Sequence, residues 1–230
     1  MIVGCLAILG AAACGGEPRD GAAIADDGGA GTPSLAAPAT DARPAIVFLG
    51  TSLTAGYGLR DPSLAFPARI QRRLDSLGLP FHAVNAGVSG ETSAGALRRI
   101  GWVLRQQPVA VVVIETGAND GLRGQTPDSV RANIQAIIDS ARTLDPVPAI
   151  LIAGMEALPN LGEDYTTRFR ALFPALASDN GATLIPFLLD GVAGVDTLNQ
   201  ADGIHPTPEG QEIVATTVWR ALAPILDSLR

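Results

Sequence analysis

Four short segments of the sequence contain the residue types that a serine nucleophile needs for hydrolysis. A nucleophilic serine needs a base, the base needs an orienting carboxylate, and the developing oxyanion needs at least two hydrogen-bond donors. The segments are residues 50–53 (Gly-Thr-Ser-Leu), 89–91 (Ser-Gly-Glu), 117–120 (Gly-Ala-Asn-Asp) and 202–206 (Asp-Gly-Ile-His-Pro). Their joint occurrence predicts a serine hydrolase.

Ser52, His205 and Asp202 are the predicted catalytic residues. His205 is one of two histidines and has Asp202 three residues before it, in a loop that also contains glycine and proline. A local Asp-x-x-His pair can hold one ring nitrogen and direct the other at a serine. The second histidine, His82, lies in an apolar run and is interpreted as structural. Because His82 is interpreted as structural and both cysteines lie in the first 14 residues, no second His or Cys is available to join His205. We therefore expect no metal, and we expect no cofactor.

The predicted oxyanion donors are the amide of Asn119 and the backbone N–H groups of Ser52 and Gly90. An asparagine amide is a neutral donor, and glycine lets a bare backbone N–H come close to a substrate. Gly87 is an alternative to Gly90 in this role.

Each segment also has a plainer interpretation, because serine often caps a helix and Asn-Asp often forms a turn. Residues 51–56 loosely resemble the phosphate loop of flavodoxins, so a non-catalytic, flavodoxin-like phosphate-binding module is an alternative function. That alternative leaves Asp202 and His205 unexplained. It also lacks aromatic residues near the strand ends, since Trp102 and Trp219 both lie in predicted helices.

The elements that must position these segments alternate between strand and helix. Apolar runs predict strands at 45–49, 81–84, 109–114, 147–153 and 183–186, and periodicity predicts helices at 63–77, 91–107, 128–144, 164–178 and 208–229. The fold class is therefore predicted as α/β, a three-layer α/β/α sandwich with a flavodoxin-like five-stranded parallel sheet. Ligands bind beyond the carboxyl ends of such strands, where all four segments fall.

Composition narrows the function classes. The 230 residues are 47% hydrophobic, and all 16 basic residues are arginine, which excludes a Schiff-base lysine, a Walker lysine or a Ser-Lys dyad. The net charge of -7 comes without a basic stripe, so nucleic acid is not expected as a partner. We expect one domain at 44–230, monomeric, acting on a small-molecule substrate.

The N-terminal residues predict export. Residues 1–13 are uncharged and mostly apolar and lead into Cys14, which looks like a bacterial lipoprotein signal with Cys14 as the lipidated residue. An ordinary signal peptide is the alternative. Residues 15–43 are rich in Gly, Ala, Pro and Asp and predict a disordered linker. The protein is thus expected to be periplasmic or a membrane-anchored lipoprotein.

The motifs resemble those of the SGNH (GDSL) hydrolase superfamily, and within it the bacterial periplasmic thioesterase, lysophospholipase and arylesterase branch. The resemblance covers about residues 46–225 and rests on residues 52–57, 85–93, 119–124, 158–165 and 202–206. It implies Ser52 as nucleophile, His205 as base and Asp202 as its orienter. It also implies Ser52, Gly90 and Asn119 as oxyanion donors, on carboxylic ester or thioester substrates.

The resemblance further implies that segments 121–126 and 154–165 form the walls of an acyl groove, although plain loop packing is equally compatible with them. The implied apolar lining is Leu122, Met155, Leu158 and Leu161. The sequence departs from the family at Thr51, where Asp is usual, and at Ala118, where Gly is common. A carbohydrate O-deacetylase of the same superfamily is an alternative to a lipid or thioester hydrolase.

Overall fold

A central apolar strand, β1 (Ala45–Gly50), anchors the sheet in the computed structural model, which describes residues 41–230. The other strands are β2 (His82–Gly87), β3 (Val109–Ile114), β4 (Ala149–Ala153) and β5 (Thr183–Ile185). All pairings are parallel, in the order β2-β1-β3-β4-β5. Every residue of β1 is buried, as expected for a strand covered on both faces. The predicted flavodoxin-like five-stranded sheet is confirmed.

The strand register brings the carboxyl ends together at one edge of the sheet. Gly50 pairs with Gly87 on one side of β1, and Leu49 pairs with Ile114 on the other. Segments that follow β1, β2 and β3 therefore leave the sheet side by side. His82 begins β2 and so lies at the opposite edge, in agreement with a structural role.

Helices cover both faces and complete the three layers. Within residues 41–230 they are α1 (Ser52–Ala55), α2 (Phe66–Ser76), α3 (Ser93–Leu104), α4 (Ala118–Leu122), α5 (Pro127–Ala141), α6 (Glu163–Asn180) and α7 (Pro208–Ser228). Helix α2 packs against α7, whereas α5 packs against both α3 and α6. No helix in this part of the chain is long and apolar enough to cross a membrane.

Some predicted boundaries differ from those of the structure. The helix predicted at 63–77 is split into a 3-10 turn at Pro62–Leu64 and α2, because Asp61 caps the turn and Pro67 starts a new helix. Strand β2 extends three residues beyond the predicted run 81–84, since backbone pairing with β1 continues where the apolar side chains end. Helices α1 and α4 were not predicted.

The predictions for the N-terminus fall almost entirely outside the described residues. These are the signal peptide at 1–14, lipidation at Cys14 and the linker up to residue 40. At the end of the linker, Arg43 donates hydrogen bonds to Asp41 and to Asp75 of α2. The last linker residues therefore lie against the folded unit.

Candidate active site

The loop that carries Ser52 makes a tight turn between β1 and α1. At Gly50, a Cβ atom would lie 1.9 Å from the hydroxyl oxygen of Thr54, so the turn leaves no room for a side chain. Ser52 is the first residue of α1. Its Oγ lies 2.8 Å from Nε2 of His205, although the two residues are 153 positions apart in sequence. The structure thus brings together the predicted nucleophile and base.

Asp202 holds the other side of the His205 ring. Its Oδ2 lies 2.6 Å from Nδ1 of His205, and its Oδ1 accepts backbone hydrogen bonds from Ile204 (2.9 Å) and His205 (3.0 Å). These hydrogen bonds, above all those from His205, lower the pKa of Asp202 to about 2. An ionised Asp202 favours the proton on Nδ1, which leaves Nε2 free to accept the Ser52 proton.

Two residues that were not assigned a role from the sequence fix the histidine loop to the nucleophile loop. Gln200 donates from its side chain to the carbonyl of Tyr57 (2.7 Å) and from its backbone to the carbonyl of His205 (2.7 Å). The Tyr57 ring packs on the His205 imidazole with their centroids 4.7 Å apart. Tyr57 belongs to the motif at 52–57, but nothing in the local sequence points to Gln200.

Hydrogen bonds distinguish the predicted oxyanion donors from Gly87, the alternative to Gly90. The N–H of Gly87 donates to Oδ1 of Asn85 (3.0 Å), so it is already occupied. The N–H groups of Gly90 and Ser52 donate to no acceptor within residues 41–230. Asn119 donates one amide hydrogen to the carbonyl of Glu91 (3.0 Å), which orients the amide and leaves its second hydrogen available.

A buried carboxylate that the sequence interpretation did not use lies beneath the nucleophile loop. Glu115, which follows β3, is fully buried. Its Oε2 accepts from the Thr51 N–H (2.8 Å) and the Thr54 hydroxyl (2.7 Å), and its Oε1 accepts from the Thr51 hydroxyl (2.9 Å). The departure at Thr51 therefore places a hydroxyl donor against this carboxylate.

The same contacts argue against the phosphate-loop interpretation of residues 51–56. The Thr51 N–H and both threonine hydroxyls, which a phosphate would need, are directed at Glu115 beneath the loop. Burial raises the pKa of Glu115, while the hydrogen bonds from Thr51 and Thr54 oppose the rise. The loop is thus built around a protein carboxyl group and not around a bound anion.

An apolar cleft of about 380 Å³ opens beside Ser52, Asn119 and His205. Three of the predicted lining residues lie in the wall of this cleft, namely Leu122, Met155 and Leu158. Its volume is in the range typical of small-molecule sites. It therefore offers space for an apolar group next to the reactive hydroxyl.

The predicted lining is corrected at one residue and incomplete at others. Leu161 is not among the residues that line this cleft, whereas Leu158 and Pro159, at the start of the 3-10 turn Pro159–Leu161, are. A further wall, between β5 and α7, was missed; it comprises Phe187, Leu189, Ala193, Gly194 and Ile204. Among the described residues, no group of three or more His, Cys, Asp and Glu side chains could hold a metal ion.

Replacement of Glu115 by Gln should change how stability depends on pH. Burial raises the folded-state pKa of Glu115 above its ordinary value of 4.5. As pH rises from about 4.5 through that raised pKa, the unfolded chain releases the proton more readily, so the wild type loses stability. Glu115→Gln does not titrate, so the Tm of this variant minus that of the wild type should rise with pH, whichever of the two is more stable at pH 4.

The measurement is a series of thermal scans between about pH 4 and pH 8, where 1 kcal/mol moves the Tm of a domain of this size by about 2–4 °C. Exposed Glu209 supplies the control variant, Glu209→Gln. A difference between Glu115→Gln and wild type that stays constant across the series would contradict the prediction.

Comparison with known proteins shows the family to which the chain belongs. A model of the GDSL-like lipase/acylhydrolase family matches residues 48–213. Esterase TesA of Pseudomonas aeruginosa is 39% identical over 181 residues, which cover 79% of this chain and 89% of TesA. Thioesterase 1/protease 1/lysophospholipase L1 of Escherichia coli K12 is 32% identical over 182 residues, which cover 79% of this chain and 85% of that protein.

A solved structure shows the same fold. The crystal structure of the psychrotrophic esterase EstA from Pseudoalteromonas sp., inhibited by monoethylphosphonate, matches with a TM-score of 0.75 at 31% identity. The match covers 80% of this chain and 98% of that chain. The resemblance to SGNH hydrolases is confirmed, and the chain belongs to the GDSL-like lipase/acylhydrolase family as a serine esterase that hydrolyses ester bonds.

Proposed function

We propose that Ser52 is the nucleophile of this esterase, with His205 as general base and Asp202 as the residue that orients it. The observation that carries the proposal is the continuous chain from Ser52 Oγ to His205 Nε2 (2.8 Å) and from His205 Nδ1 to Asp202 Oδ2 (2.6 Å). Both contacts lie within the reach required for proton transfer.

In the proposed mechanism, Ser52 attacks the carbonyl carbon of an ester or thioester while His205 takes the hydroxyl proton. The tetrahedral oxyanion accepts hydrogen bonds from the N–H groups of Ser52 and Gly90 and from the amide of Asn119. His205 then returns the proton to the leaving alcohol or thiol, and an acyl group remains on Ser52. A water molecule, deprotonated by His205, then attacks the acyl carbon; the bond to Ser52 Oγ breaks, His205 returns the proton to Oγ, and the acyl group leaves as a carboxylic acid.

Replacement of Ser52 by Ala should abolish covalent labelling and lower the rate of ester hydrolysis by about four to six decades. The measurement is the site of a fluorophosphonate adduct, located by mass spectrometry, together with turnover of a short p-nitrophenyl ester. Ser178→Ala, on the exposed side of α6, is the control and should label and turn over like the wild type. Labelling or full turnover in Ser52→Ala would rule out the assignment.

The apolar cleft supports substrates with an apolar acyl group. Met155 is buried within it, whereas Leu122 and Leu158 are about half exposed at its mouth. Relatives named esterase and thioesterase/lysophospholipase fit carboxylic esters, thioesters and lysolipids as the substrate classes of this chain. The alternative, a carbohydrate O-deacetylase, would have to bind a polar carbohydrate beside the acetyl group, and the apolar lining of the cleft suits a carbohydrate less well.

The contribution of the cleft can be tested at Leu158, which is 49% exposed, so its replacement should leave stability nearly unchanged. Covering half of a leucine side chain is worth about 1 kcal/mol. Leu158→Ser should therefore lower kcat/KM for a p-nitrophenyl octanoate by about fivefold and leave kcat/KM for the acetate unchanged. Leu77→Ser is the control, since Leu77 follows α2, is 61% exposed and does not line the cleft. A wild type that strongly prefers acetate would favour the deacetylase.

The N-terminal sequence supports export and attachment of the enzyme to a membrane that faces the periplasm. Cys14 follows an uncharged, apolar stretch and precedes a linker rich in small and polar residues. A lipid on Cys14 would tether the catalytic unit at a distance set by this linker. The tether would keep the enzyme close to lipid substrates.

Removal of the thiol at position 14 should free the protein from the membrane. Expressed with its own N-terminal sequence, the wild type should partition into the detergent phase, and Cys14→Ser should partition into the aqueous phase. Cys5→Ser, in the same apolar stretch, is the control and should behave like the wild type. Equal solubility of all three would mean that the leader is an ordinary signal peptide.

A further inference from the structure

The loop that carries Gly90 lacks an apolar anchor. We call residues 88–92, between β2 and α3, the oxyanion loop. Val88 is 44% exposed, and Ser89 and Gly90 are also exposed. Gly90 has a φ of +77°, and no heavy atom lies within 4 Å of the position that its Cβ would take. Polar contacts must therefore hold this backbone in place, since a displacement of about 1 Å near a reacting group can cost about a hundredfold in rate.

The strongest of these contacts is an ion pair between Glu91 and Arg99. Arg99 Nε lies 2.9 Å from both carboxylate oxygens of Glu91, and Nη2 lies 2.6 Å from Oε2. The two side chains are only 12% and 21% exposed, so solvent screens this pair less than the exposed ion pairs of the surface. Nη2 also donates to the carbonyls of Ala86 (2.7 Å) and Gly50 (3.3 Å). Arg99 thereby connects the oxyanion loop to the ends of both β1 and β2.

A glycine in α3 makes room for this pair. A Cβ at Gly95 would lie 2.5 Å from Cγ of Glu91 and 3.2 Å from its Oε1. Glycine inside a helix is less stabilising than alanine. Gly95 therefore makes α3 less stable than alanine would, but it leaves the space through which the Glu91 side chain reaches Arg99.

The position of Glu91 affects both oxyanion donors that lie outside the nucleophile loop. Its carbonyl accepts the amide hydrogen of Asn119 (3.0 Å), and its backbone directly follows the N–H of Gly90. On the outer side, Arg123 donates to the carbonyl of Gly90 (2.9 Å). A shift of Glu91 would therefore move the Gly90 N–H and turn the Asn119 amide at the same time.

We infer that the Glu91–Arg99 ion pair, seated across Gly95, positions the oxyanion hole, and that Arg99 and Glu91 are positioning residues for ester hydrolysis. The inference rests on the proposed roles of Gly90 and Asn119. Because the pair acts on donors that bind the oxyanion, it affects the transition state more than the bound ester. Its loss should lower kcat and leave KM nearly constant.

The sharpest test is Gly95→Ala, which removes no charge and no hydrogen-bonding group. The added methyl group should displace Glu91 and lower kcat about tenfold or more, with KM within about twofold. Gly101→Ala, in the same helix, is the matched control, since its Cβ would meet only the end of the Arg105 side chain at 3.4 Å. It should keep the wild-type kcat. The assay is hydrolysis of a p-nitrophenyl ester by enzyme whose folded fraction is measured by circular dichroism.

Two further variants test the ion pair directly. Glu91→Gln and Arg99→Lys should each lower kcat about three- to tenfold, and the double variant should lose less than the product of both effects, since the two residues act as one unit. Asn119→Ala is the reference variant, because it removes one oxyanion donor completely; its kcat should fall about a hundredfold. Inhibition by a boronic acid, which forms a tetrahedral adduct on a serine, should weaken in parallel with kcat/KM in every variant.

The outcomes separate this inference from the proposed function. Normal kcat in Gly95→Ala, Glu91→Gln and Arg99→Lys would overturn the inference. So would a loss that appears only in Tm and not in the rate per folded molecule, because the pair would then be merely structural. Activity that survives in Ser52→Ala would instead overturn the proposed function itself.

Discussion

A carboxyl group with no exposed surface lies directly beneath the loop that presents Ser52. Burial of an unpaired carboxylate costs several kcal/mol, so it persists only where donors satisfy it. Glu115 meets this condition through Thr51 and Thr54, whose hydroxyls and N–H groups surround it. In return the two threonines are fixed, and Ser52 between them is fixed with them. The position of Ser52 therefore depends on a residue that is not among those lining the cleft.

Other carboxyl groups around the site also fix short segments through hydrogen bonds. Asp120, which is 2% exposed, accepts hydrogen bonds from the backbone N–H (2.8 Å) and the hydroxyl (2.6 Å) of Ser93 at the start of α3. This contact attaches α4, and with it Asn119, to the helix that follows the oxyanion loop. Glu91 holds that loop from the other side through Arg99. Each short catalytic segment is thus fixed by a carboxylate, because segments of four or five residues bury too little apolar surface to be held by packing.

Features of the fold and the site that are local or periodic could be predicted from the sequence. Strand runs and helix breakers predicted the order of elements, and the spacing of Asp202 and His205 placed both on one turn. Helices α1 and α4 escaped prediction because four or five residues show no period. Glu115 carried a signal, since a charged residue directly after an apolar strand is expected to be buried and paired. Its partners, 61 and 64 positions away, could not be inferred without the fold.

Two carboxyl groups hold the loops of Ser52 and His205, and their environments differ. Asp202 is partly exposed and accepts backbone hydrogen bonds, which hold its pKa low at about 2. Burial outweighs the hydrogen bonds at Glu115 and raises its pKa. In the proposed mechanism the charge of Asp202 would stabilise the imidazolium of His205 as it takes the Ser52 proton. Asp202 thus acts on the ring of His205, whereas Glu115 acts on the geometry of the loop that presents Ser52.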